Sequence, residues 1–145
     1  MVSLLSSYNR TIHSEVSLVG DLVKDALSFV KENEIKDEDI LFEIKVILNE
    51  LILNAIKHGN KHSAEKVVEL TVSFADHKHI HIIVKDEGEG HDYRCIMNQH
   101  TSFVTAPDIC DMKETGRGIF IVKSLAESLK FNEKGNVITA VIAVV

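Results

Sequence analysis

The stretch DEDILFEIKVILNELILNAIKH, residues 37–58, constrains the fold more than any other part of the chain. Ile40, Leu41, Ile44, Ile47, Leu48, Leu51, Ile52 and Ala55 recur at helical spacing and cover one wide face. Val46, Leu53 and Ile56 add apolar surface on the other side. A helix that is apolar nearly all round is mostly buried, so this segment predicts the centre of a packed helical layer. Asp37 or Asp39 can cap its start, and Gly59 can stop it after His58. Glu50 and Asn54 stand on this helix a little over one turn apart, on a stripe that His58 continues. Buried carboxylates are costly unless they are paired or put to use. One reading pairs Glu50 internally or with Lys45 or Lys57. The other makes Asn54 an oxygen ligand for Mg²⁺, with Glu50 accepting a proton from an attacking hydroxyl or water.

The remaining pattern supplies a sheet. Residues 2–9 predict a short edge strand. Ser14 to Asn33 predict a helix, with Val16, Val19, Val23, Ala26, Leu27 and Val30 at helical spacing and Ser14 as its cap. Strands are expected near Val67–Phe74 and Lys78–Asp86. On the second of these Ile80, Ile82 and Val84 form the core-facing row, and Asp86 falls on the same row. His79, His81 and Lys85 share the opposite face with Ile83; with His77, these histidines read as solvated rather than as a metal site. A carboxylate delivered to the core side, followed by Gly88 and Gly90, can accept from an exocyclic amine such as that of adenine. Glycines there let a ring approach the backbone.

Residues 91–115 have weak periodicity and the length of a lid. Gly116-Arg117-Gly118 then opens a helix with Ile119, Val122, Leu125, Ala126 and Leu129 at helical spacing. Two glycines at a helix start suit a phosphate, because free backbone N–H groups and the helix dipole converge there; an ordinary glycine-rich loop is the plainer reading. The chain ends as an expected hairpin, residues 131–133 and 137–145 about a Lys134-Gly135-Asn136 turn.

Charge narrows the function classes. A net charge of −6 argues against an electrostatic nucleic-acid or membrane-surface binder. No apolar run reaches the roughly eighteen residues that span a bilayer. The start lacks the basic region and apolar core of a signal peptide. Cys95 and Cys110 are too few for a disulfide scaffold, so reduced thiols in a cytoplasm are expected. With no repeat or linker, residues 1–145 read as one domain.

Together, E-x-x-x-N-A-x-x-H-G on a helix, D-x-G-x-G after a strand, a lid-length loop and G-x-G opening a helix resemble the GHKL ATP-binding superfamily. The resemblance covers roughly residues 14–145. It implies the Bergerat fold: an α/β two-layer sandwich with a mixed, mostly antiparallel sheet, helices on one face, and ATP held between helices and lid. Glu50 stands where sensor histidine kinases typically carry asparagine, and the residues before the second helix leave no room for a dimerisation helix pair. The chain is most similar to the small anti-sigma-factor serine/threonine kinases of bacterial partner-switching systems. His58-Gly59 and Thr115-Gly116-Arg117-Gly118-Ile119-Phe120 are written as in that group.

The resemblance implies Glu50 as general base and Asn54 as the Mg²⁺ ligand, with His58 closing the same box. Asp86 would bind adenine above Gly88 and Gly90. Gly116 and Gly118, with Thr115, Arg117 and Ile119 of the same box, would hold the phosphates. It further implies a STAS-type antagonist as phosphorylation substrate and a sigma factor or other output protein as second partner. Two copies could pair through an edge strand or the first helix. His91-Asp92 depart from the usual residues after the first glycine box, and the first helix offers Lys24 beside Gly20-Asp21 where an arginine is common. Two other readings stand beside the kinase: a nucleotide-binding switch without kinase activity, and an ATPase acting on water.

Overall fold

The periodicity of residues 37–58 becomes the central helix of the molecule. The computed structural model describes residues 6–90 and 115–144, with side chains from Gly118 onward in the second of these segments. Helix α1 spans Val19–Glu32 after a short 3₁₀ turn at Val16–Leu18, and α2 spans Glu38–Asn54. Asp37 caps α2 as expected: its side chain accepts from the backbone N–H groups of Asp39 and Ile40. Ile44, Ile47, Leu48, Leu51 and Ile52 of α2 are fully buried. Burial of each such side chain contributes about 1.5–3 kcal/mol, which makes α2 the main apolar contributor to the helical layer.

The sheet is five-stranded, in the order β1-β2-β3-β5-β4. Its strands are β1 Ser7–His13, β2 Val67–Phe74, β3 His79–Lys85, β4 Ser128–Phe131 and β5 Val137–Ala143. Every pairing is antiparallel, so among the described residues the sheet is not mixed. Strand alternation places Val68, Leu70 and Val72 of β2, Ile80, Ile82 and Val84 of β3, and Ile138, Ala140 and Ile142 of β5 on one buried face. That face joins α1, α2 and the helix α3, Thr115–Leu125, in one core.

Three local expectations moved. The described edge strand, Ser7–His13, runs past the expected end at residue 9 because pairing with Val67–Ser73 continues to His13; residues 2–5 of the expectation lie outside the described residues. Ser14 does not cap the first helix. Its hydroxyl accepts from Asn60 Nδ2 at 2.6 Å, and its N–H donates to the Lys66 carbonyl, so distant partners displace the local cap. Leu129 belongs to β4, not to the last helix, because the Glu127 N–H donates to the Val141 carbonyl and draws the chain onto β5. The final hairpin accordingly begins at Ser128, and its turn is organised by Asn132. The Asn132 Oδ1 accepts from the N–H groups of Gly135, Asn136 and Val137.

Candidate nucleotide and phosphoryl-transfer site

Helix α2 does not stop cleanly at its C-terminus. A π-helical turn, Ala55–Gly59, follows Asn54, closed by the Asn60 N–H donating to the Ala55 carbonyl at 2.7 Å. Such widened turns cluster at functional sites because they re-aim the side chains around them. Here the turn brings Lys57 and His58 to the rim of a cleft of about 590 Å³ lined also by Glu50, Leu53, Asn54, His62 and Gly118. That volume lies in the range of small-ligand sites.

Glu50 and Asn54 share one wall of this cleft, as their spacing predicts. Asn54 is 6% exposed, and its side-chain oxygen is shielded from water. Glu50 is partly exposed to the cleft, and no hydrogen bond or ion pair engages its carboxylate among the described residues. The expected pairing with Lys45 or Lys57 is therefore not what holds it. Gly118 of α3 lies against it: a Cβ at that position would run into Glu50 Oε1. Glycine at residue 118 thus leaves room for the Glu50 carboxylate in its present position. Lys57, His58 and His62 line the same space, so the acid and the amide share the cleft with a lysine. The Asn54 amide oxygen is a hard donor of the kind Mg²⁺ takes alongside phosphate oxygens, so it fits that ion.

The end of β3 forms the second half of the site. Asp86 is 4% exposed and continues the buried row of Ile80, Ile82 and Val84. Its Oδ1 accepts from the Gly88 N–H at 2.8 Å, which folds the D-x-G turn onto itself. Its backbone is held from the far side by Asn136, whose carbonyl accepts the Asp86 N–H and whose amide donates to the Asp86 carbonyl. The turn also packs on the end of the π turn without intervening side chains. A Cβ on Gly59 would overlap the Asp86 carboxylate, and one on Gly88 would overlap the Gly59 carbonyl. Two glycines are required there by contact alone, and they bring the carboxylate within reach of the α2 terminus.

The structure therefore joins Glu50, Asn54, His58 and Gly118 in one cleft and sets Asp86 and Gly88 against Gly59 beside it. Gly90 sits farther along, at φ 92, against the Lys134 carbonyl of the last hairpin. Ile119 is fully buried in the core, so only its backbone is left to meet a ligand. Thr115 and Gly116 begin α3 together with Arg117, but their side-chain environment lies outside the described residues, as do residues 91–114 of the segment 91–115 expected to form a lid. Sequence reasoning missed Asn60, His62 and Asn136. Asn60 directly follows the H-G pair and could have been suspected; nothing local marks His62 or Asn136.

Known proteins match most of the chain. A family model described as histidine kinase-like ATPase domain matches residues 12–142. The serine-protein kinase RsbW of Staphylococcus epidermidis is 25% identical over 122 residues, 83% of this chain and 76% of that protein. RsbW of Oceanobacillus iheyensis is 26% identical over 93 residues, covering 63% of this chain and 58% of its own length. The anti-sigma F factor of Priestia megaterium is 28% identical over 92 residues, 63% of this chain and 60% of that protein.

Proposed function

Because the chain belongs to the histidine kinase-like ATPase domain family, we propose that it binds Mg-ATP in the α2–α3 cleft and phosphorylates a serine or threonine of a partner protein. The substrate is a STAS-type antagonist, and the alternative partner is a sigma factor or another output protein that the chain sequesters in the cytoplasm. Relatives named serine-protein kinase and anti-sigma F factor support this assignment. Among the described residues no helix is long and apolar enough to cross a membrane.

The observation that carries the reading is Glu50. Its carboxylate opens into the cleft one turn before Asn54 and against the first turn of α3. A carboxylate there accepts the proton of an acceptor hydroxyl as the oxygen bonds to the γ-phosphorus and the β–γ bridging bond breaks. Asn54 would hold Mg²⁺, which neutralises phosphate charge when bound. Asp86 would select adenine by accepting from its amine, while Lys57 supplies positive charge toward the phosphates.

Incubation with Mg²⁺, labelled ATP and a candidate STAS antagonist tests the proposal. Label should appear on a serine or threonine of the antagonist with the wild type and fall to background with Glu50→Ala. ADP release without protein labelling would identify an ATPase acting on water. Nucleotide binding with neither product, alike in wild type and Glu50→Ala, would leave a switch protein and remove the kinase.

A further inference from the structure

Asn60 is 1% exposed, and an amide that deep in a loop calls for an explanation beyond solvation. It contacts three chain segments at once. Its Nδ2 donates to Ser14 Oγ at 2.6 Å and to the Val67 carbonyl at 2.9 Å, and its Oδ1 accepts from the Glu87 N–H at 2.8 Å. Glu87 closes the ring by accepting the Val67 N–H on Oε1 at 2.7 Å. Only a side chain with two donors and an acceptor in one plane can do this; an isosteric aspartate would keep the acceptor and lose both donors.

The position matters because of its neighbours. Glu87 is the residue after Asp86, and Gly59, whose Cα leaves no room beside the Asp86 carboxylate, is the residue before Asn60. The Asn60 amide thus fixes the chain on both sides of the contact between the end of α2 and the D-x-G turn. We infer that Asn60 is a positioning residue for nucleobase selection: through the Glu87 N–H it sets the orientation of the Asp86 carboxylate toward the base.

The inference rests on the reading of Asp86 as the adenine acceptor, and the experiment separates the two. Dissociation constants for Mg-ATP and Mg-GTP are measured by calorimetry on the wild type, Asp86→Asn, Asn60→Ala, Asn60→Asp and Ser14→Ala. The ATP-over-GTP ratio is read within one preparation, so a partly unfolded sample lowers both signals and leaves the ratio unmoved. The wild type should prefer ATP, and Asp86→Asn should erase the preference. Asn60→Ala and Asn60→Asp should cut it by about tenfold, chiefly through weaker ATP binding, the size expected when one oriented hydrogen bond is lost. Ser14→Ala removes one of the two acceptors of the amide and should cut the ratio less. Asn60 variants with the wild-type ratio would overturn the inference while the Asp86 reading survives. A wild type without preference, or an unchanged ratio in Asp86→Asn, would remove the Asp86 reading and the inference with it. Should Asn60→Ala not fold, Asn60→Asp and Ser14→Ala carry the same decision.

Discussion

At the residue scale, the site depends on which groups are allowed to approach one another. Asn54 and Glu50 share a wall, but their tasks in the proposed reaction differ and can be separated. Asn54→Ala should abolish Mg²⁺-dependent ATP binding while the circular dichroism spectrum stays native; unchanged affinity would reassign the metal. Gly118→Ala tests the other contact. The added methyl meets Glu50 Oε1, so the carboxylate must swing away. Phosphotransfer should then fall by about a hundredfold, the lower end of what a general base contributes, with nucleotide affinity changed much less. A parallel loss of binding and rate would mean that α3 itself had moved.

At the element scale, α2 acts as both core and scaffold, and its faces should respond differently. Ile47 is fully buried, so Ile47→Ala should cost about 2–5 kcal/mol in denaturant unfolding. Phe42 on the same helix is 65% exposed, and Phe42→Ala should change stability by about 0.5 kcal/mol or less. Asp37→Ala removes the cap bonds to Asp39 and Ile40 and should cost about 1 kcal/mol. Comparable losses at residues 42 and 47 would contradict the packing of α2. The sequence made this helix legible because its period of 3.6 is a local property. It did not show where α3 ends: spacing carried the pattern on to Leu129, whereas pairing with β5, which follows later in the chain, ends the helix first. Strand β1, SYNRTIH, is polar enough that its register follows from its partner; Asn9, for instance, donates to Glu69 and Thr71 across the pair.

At the scale of the whole molecule, one ionic bridge ties the β2–β3 turn to the start of β4. His79 places Nδ1 3.1 Å from Asp76 Oδ1 and Nε2 3.3 Å from Glu127 Oε2. The hydrogen bond to Asp76, followed by the charges of Asp76 and Glu127, holds the imidazole pKa above its ordinary 6.5. The Lys78 N–H, and then His79, hold the Asp76 carboxyl below its ordinary 3.8. A raised histidine value means the contribution is complete below about pH 6.5 and lost as pH rises through the folded value. A lowered aspartate value means its contribution is present above 3.8 and lost as pH falls. The bridge therefore stabilises most in mildly acidic solution. His79→Gln should flatten the stability change across the neutral range, followed by urea midpoints at several pH values; an unaltered profile would show that the bridge does not form in solution.

The sequence by itself determined what depends on neighbours within a turn or a strand: the buried helix carrying Glu50 and Asn54, its Asp37 cap, and the row that takes Asp86 to the core face. Those follow from periods of 3.6 and 2, and the ordered boxes were enough to suggest the family. Only the tertiary structure decided which distant groups meet. It seated Glu50 against Gly118, set the Asp86 turn on Gly59, and took the Ser14 hydroxyl from a helix cap to an amide 46 residues away. The physical reason is that a buried polar group is satisfied by whichever partner packing brings within reach, and no local pattern encodes that partner.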